Sequence, residues 1–173
     1  VLEEIQMGAA LSYVAVKDKP DSALLKSLNI NEMTSGTDLH ALYGADTING
    51  CVFESGWFVI TIYGDSEALL SPKVLKQLSA GSRLVACEVE EHVMVSTAAG
   101  WINGEQVWSV VYDSQEDDEE IVVTGIPPAG FNEMAAALRK EMTFFEIPTE
   151  LVHNICGFEY LGNNFFPHFE IDF

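Results

Sequence analysis

The sequence predicts an α+β fold: a mostly antiparallel sheet with helices packed on one face. Three observations carry this. Short β-branched and aromatic runs recur between residues 8 and 124, separated by turn residues. Residues 131–142 and 147–157 instead show helical spacing and helical end signals. Between them in kind is Asn103-Gly104, which joins two apolar runs and supplies the two positive-φ positions of a type I′ hairpin.

The elements follow in order. Residues 8–17 are apolar with β-branched members and read as a strand. After Pro20, residues 21–28 place Leu24, Leu25 and Leu28 at helical spacing, with Asp21 or Pro20 at the start. The stretch 29–49 is polar, with a short helix expected at 37–43. Residues 51–53 and 57–63 form a hairpin through Glu54-Ser55-Gly56. Trp57, Val59, Thr61 and Tyr63 share one face of it, and Phe58, Ile60 and Ile62 the other. Ser71 can cap the free amides of a helix that has Pro72 at its first position and leaves through Gly81.

Residues 83–90 and 92–97 read as two further strands, and 98–102 and 105–112 as the arms of the Asn103-Gly104 hairpin. Residues 120–124 read as a last strand before Pro127-Pro128. The helix at 131–142 repeats Met134, Leu138 and Met142 every four residues. A second opens at Ile147-Pro148 with Leu151, Val152 and Ile155 inward and Gly157 at its exit. The tail 158–173 is aromatic-rich and reads as extended. Its ending, PHFEIDF, sets Phe169, Ile171 and Phe173 on one side and His168, Glu170 and Asp172 on the other. Trp57 to Ser66 with the helix after Pro72 echoes Trp108 to Ser114 with the helix after Pro128, so two duplicated β-β-α units also fit the pattern.

A length of 173 residues fits a single α+β domain over 1–173. No apolar run approaches the roughly 20 residues that span a bilayer. The first five residues have neither the basic n-region nor the apolar h-region of a secretion signal, and with no initiator Met a removed upstream segment is compatible. Cys51, Cys87 and Cys156 are odd in number and widely spaced, which reads as free buried thiols in a reducing compartment, the cytoplasm.

The formal charge is −19, and it is lopsided. Residues 1–86 carry ten acids and six bases, whereas 87–173 carry seventeen acids and only Arg139 and Lys140. Such a field repels nucleic acid and anionic membrane and attracts cationic partners.

Motifs for chemistry are sparse. There is no G-x-x-x-x-G-K-[ST], no G-x-G-x-x-G and no G-x-S-x-G, so no cofactor is implied. His153 and Cys156 lie three apart on a helix and can touch, but a reactive thiolate needs an electropositive pocket, and these surroundings are acidic and apolar. Glu88, Glu90 and His92 alternate along a strand, as do His168, Glu170 and Asp172. Neighbours on one strand face sit about 7 Å apart, too far to share an ion without a second element. No metal ligand and no catalytic residue is therefore assigned. A carboxylate and histidine hydrolase using Glu88, Glu90, His92 and His153, with or without a metal, is the alternative.

The run from Asp113 to Glu120 has six carboxylates in eight residues. It has Asp118 where a calcium loop of the EF-hand type needs glycine. As a hairpin tip it makes a strongly negative surface. Glu116, Asp117, Asp118, Glu119 and Glu120, joined by Glu88, Glu90 and Glu91, are the candidate partner-binding residues. Trp101 and Tyr112 are candidate anchors if exposed and core residues otherwise.

Three stretches, WINGEQVWSVVYD (101–113), IVVTGIPPAGF (121–131) and FFEIPTELVHNICGFEY (144–160), resemble a group of uncharacterised small acidic bacterial proteins. These share a Trp-x-Val strand, a Gly-x-Pro-Pro turn and an Ile-Pro-x-x-Leu helix ending in Gly-Phe. In size, charge and class the chain is also similar to immunity proteins that neutralise a cognate toxin. The resemblance implies a non-enzymatic inhibitor of a basic protein, a toxin or nuclease, acting through its acidic C-terminal half. Nucleic acid and membrane are not expected partners, and a homodimer is compatible with the sequence.

Overall fold

The computed structural model describes residues 10–33, 48–53, 55–64, 67–116 and 120–159. The strands are β1 (Ala10–Val16), β2 (Ile30–Glu32), β3 (Ile48–Val52), β4 (Phe58–Tyr63), β5 (Arg83–Glu90), β6 (Val95–Ile102), β7 (Glu105–Asp113) and β8 (Ile121–Gly125). The helices are α1 (Ser22–Ser27), α2 (Glu67–Leu70), α3 (Pro72–Leu78), α4 (Phe131–Lys140) and α5 (Glu146–Cys156). The eight strands among the described residues join one sheet in the order β2-β3-β4-β1-β5-β6-β7-β8. Every neighbouring pair is antiparallel except β2 with β3. The class is therefore α+β, as expected.

The helices do not share one face. Leu11, Tyr13 and Ala15 of β1 point into a cluster with Phe131, Met134 and Leu138 of α4 and Ile147, Leu151 and Val152 of α5. Val14 and Val16 point into a second cluster with Leu25 of α1, Leu69 of α2, and Leu75 and Leu78 of α3. Strands covered on both sides must be apolar on both sides. That is why Trp57, just before β4, and Val59 within it lie on one face, and Phe58, Ile60 and Ile62 on the other. The echo between the two halves is likewise one of sequence order only. β8 intervenes in the second stretch, and the helices that follow lie on opposite faces.

Local signals explain most elements. Asp21 caps α1 by accepting from the Leu24 amide at 2.8 Å. Asn103 (φ 51°) and Gly104 (φ 82°) form the expected turn between β6 and β7. Gly157, at φ 78°, ends α5 in the left-handed conformation and donates to the His153 carbonyl at 2.7 Å.

Three further expectations change. Ser71 does not cap α3; its hydroxyl donates to Ala68 O, at the end of the unanticipated helix α2. The run 92–97 is not a separate strand, because Glu91 to Met94 turn and β6 continues unbroken to Ile102. α4 stops at Lys140, which leaves Met142 at φ 60° and 65 % exposed rather than inward. Trp101 and Tyr112 are both core residues. The helix expected at 37–43 and the tail from 160, with His168, Glu170 and Asp172, lie outside the described residues.

Candidate acidic interface at one end of the sheet

Strand order decides which charges meet. Glu90 pairs with Val95, and Val95 with Asp113, so β5, β6 and β7 end side by side. At about 4.8 Å per strand, Glu90 and Asp113 lie about 10 Å apart. The two acidic groups named from sequence, Glu88, Glu90 and Glu91 on one side and Glu116 and Glu120 on the other, therefore share one end of the molecule. Asp117, Asp118 and Glu119 lie outside the described residues.

Hydrogen bonds lock the two turns together. Ser114 donates through its amide to Met94 O at 3.3 Å and through its hydroxyl to Val93 O at 3.1 Å. Asp113 folds its own turn by accepting from the Gln115 amide at 2.9 Å. Glu90 holds His92, accepting from the ring Nδ1 at 2.7 Å and from the backbone amide at 3.2 Å. At the centre of this rim, Val93 and Met94 are exposed. Exposed apolar side chains beside carboxylates suit the centre of an interface with a charged rim.

Helix α5 braces the same end from the other face. Ser96 donates to Phe145 O at 2.6 Å, and Tyr112 meets Phe144 and Phe145 at ring distances of 6.3 and 6.4 Å. Glu146 opens α5 at this point, and burial raises its carboxyl above the usual range.

The opposite end mixes both signs, with Asp18, Glu105 and the Lys19–Glu32 pair among its charges. Lys17 and Lys19 follow β1, Arg83 opens β5, and Lys76 lies beside Gly104 in the β6–β7 turn. The eight residues of β5 separate Arg83 from Glu90. That length is about 24 Å. It exceeds the screening length at physiological salt, so the two ends present distinct fields.

Of the residues suggested for hydrolysis, Glu90 and His92 are hydrogen-bonded to each other, but His153 lies apart from them. Glu88 and Glu90 lie on the sheet face of Leu84 and Ala86, whereas His153 belongs to α5 on the other face. Among the described residues no group of three His, Cys, Asp or Glu side chains is placed to hold a metal ion. The three cysteines are free and buried. Desolvation pushes both the Cys87 and Cys156 thiols up to about 12, so each is held as the unreactive thiol at neutral pH.

Sequence reasoning missed Val93 and Met94, which it placed inside a strand. Their signal was available only through strand order, since they become a tip once β5 and β6 pair. Among the described residues no helix is long and apolar enough to cross a membrane. No family model, no curated protein and no solved structure matches the chain.

Proposed function

We propose that this protein is a non-enzymatic binding protein that docks a basic protein partner on the acidic end of its sheet, as an inhibitor or immunity-type protein neutralises a toxin or nuclease. The observation that carries this reading is the convergence of Glu88, Glu90, Glu91, Asp113, Glu116 and Glu120 around Val93 and Met94. A concentrated negative field accelerates the approach of a cationic partner by about 10- to 1000-fold, and an apolar centre then supplies holding contacts. The free thiols fit a reducing compartment such as the cytoplasm.

Capture from the source lysate tests this, with two baits run side by side: the unaltered protein, and one carrying Glu88→Gln, Glu90→Gln, Glu91→Gln, Glu116→Gln and Glu120→Gln. The expected result is a basic protein held by the first bait, released by moderate salt, and absent from the second. Equal capture by both baits sinks the reading.

A further inference from the structure

The two edges of the sheet are treated differently. At one, β2 is three residues long and bears Glu32, which pairs with Lys19. A short edge strand carrying charge is a guarded edge. At the other, β8 has five residues and no charge, and the uncharged stretch runs from Ile121 to Asn132 in a chain of net charge −19. Val122 and Val123 are 55 % and 41 % exposed, and Ile126 is 86 % exposed. The helix-covered core on the Val122 side ends at Trp101 of β6, so Val111 and Val122 extend an apolar strip beyond it.

The ladder fixes which backbone groups face outward. Ile126 donates to Val107 O, Val122 pairs with Val111, and Thr124 pairs with Ser109. Antiparallel alternation then turns the amides and carbonyls of Ile121 and Val123 away from β7. Among the described residues no strand lies beyond β8. The described chain ends far from this edge, with Phe158 packed on Tyr13 of β1 and on Phe53 after β3. Gly125, at φ 72°, and Pro127-Pro128 close the edge, so the available length is that of β8 itself.

From these features we infer that β8 receives an extended segment of the basic partner by strand addition. This rests on the binding function proposed above and specifies how the partner is held. The segment is uncharged and β-branched in alternation where it lies along β8, and carries Lys or Arg where it passes Glu120 and Glu116. Main-chain hydrogen bonds supply affinity, and Val122 and Val123 grip alternate side chains from the two faces. Charge complementarity favours this occupant over a second copy of the chain, which brings another net charge of −19.

The test uses a synthetic peptide, Lys-Lys-Thr-Val-Thr-Val-Thr, with two controls: the same peptide N-methylated at alternate amides, and one with Glu-Glu in place of Lys-Lys. Amide exchange is read residue by residue in the intact protein. The expected result is slowed exchange at Val123 on adding the Lys peptide, and binding weakened about tenfold or more by either control, since each removes more than one favourable contact. Binding that survives N-methylation, with changes confined to residues 88–94 and 113–116, overturns strand addition and leaves the acidic interface standing. Val123 protection that rises with protein concentration before any peptide is added overturns it in favour of a second copy. Absence of peptide binding also overturns it, whereas the binding function is judged independently by the two-bait capture.

Discussion

Phe158→Ala is expected to destabilise the protein by about 3–5 kcal/mol, which for a chain of this size lowers the melting temperature by about 10 °C. The ring is fully buried, 4.9 Å from Tyr13 and 5.4 Å from Phe53 between centroids. It closes the core where α5 ends, because the left-handed turn at Gly157 redirects the chain toward β1 and β3. Removing it takes away the transfer energy of an aromatic side chain, leaves a cavity, and loses two aromatic contacts worth about 0.5–1.5 kcal/mol each. Phe158→Leu should recover most of the loss, since it keeps much of the apolar volume but not the ring geometry. Chemical denaturation of the two variants checks this. Equal, small losses for both would mean that Phe158 is not a core anchor.

Gly100→Ala is expected to cost about 3 kcal/mol through overpacking, although it adds a single methyl group. A Cβ at Gly100 would stand 2.2 Å from Nε1 and 2.3 Å from Cε2 of Trp108, its cross-strand partner. The indole lies over the glycine backbone and is itself buried, so it has no solvent-exposed space into which to retreat. A double-mutant cycle isolates the effect. In a Trp108→Leu background the same glycine change should cost less than about 1 kcal/mol, because the obstructing ring is gone. An unchanged cost in that background would locate the strain in the backbone of β6 instead.

These two sites also show why some elements were legible and others were not. The β6–β7 turn was readable because Asn-Gly meets a local backbone requirement, as Pro72 does at the start of α3 and Gly157 at the end of α5. β6 read as broken because Ala98, Ala99 and Gly100 have little β-propensity of their own. Ala98 and Gly100 are small because Trp108 and α5 press on that face of the strand, a tertiary demand with no local signature. β2 was missed for a related reason: three residues paired in parallel need no turn beside them. The apolar residues on both faces of β4 did announce helices on both sides, and the expectation of one covered face undervalued them.

The candidate interface was half legible. The acidic residues were visible as runs in the sequence, but their assembly into one surface depends on β5, β6 and β7 being neighbours. The position of Val93 and Met94 at its centre depends on the same pairing. A linear sequence carries charge content plainly and strand order only through long-range packing.

A basic partner seated on the acidic end shields that end's backbone amides from solvent. Hydrogen exchange of the protein, alone and in complex with the basic protein recovered by capture, tests it most directly. The expected footprint covers residues 90–95 and 112–116 and leaves Lys17, Lys19, Ser82 and Asn103 at the other end exchanging as before. A footprint on that opposite end, with 90–95 and 112–116 unchanged, would rule out docking on the acidic end.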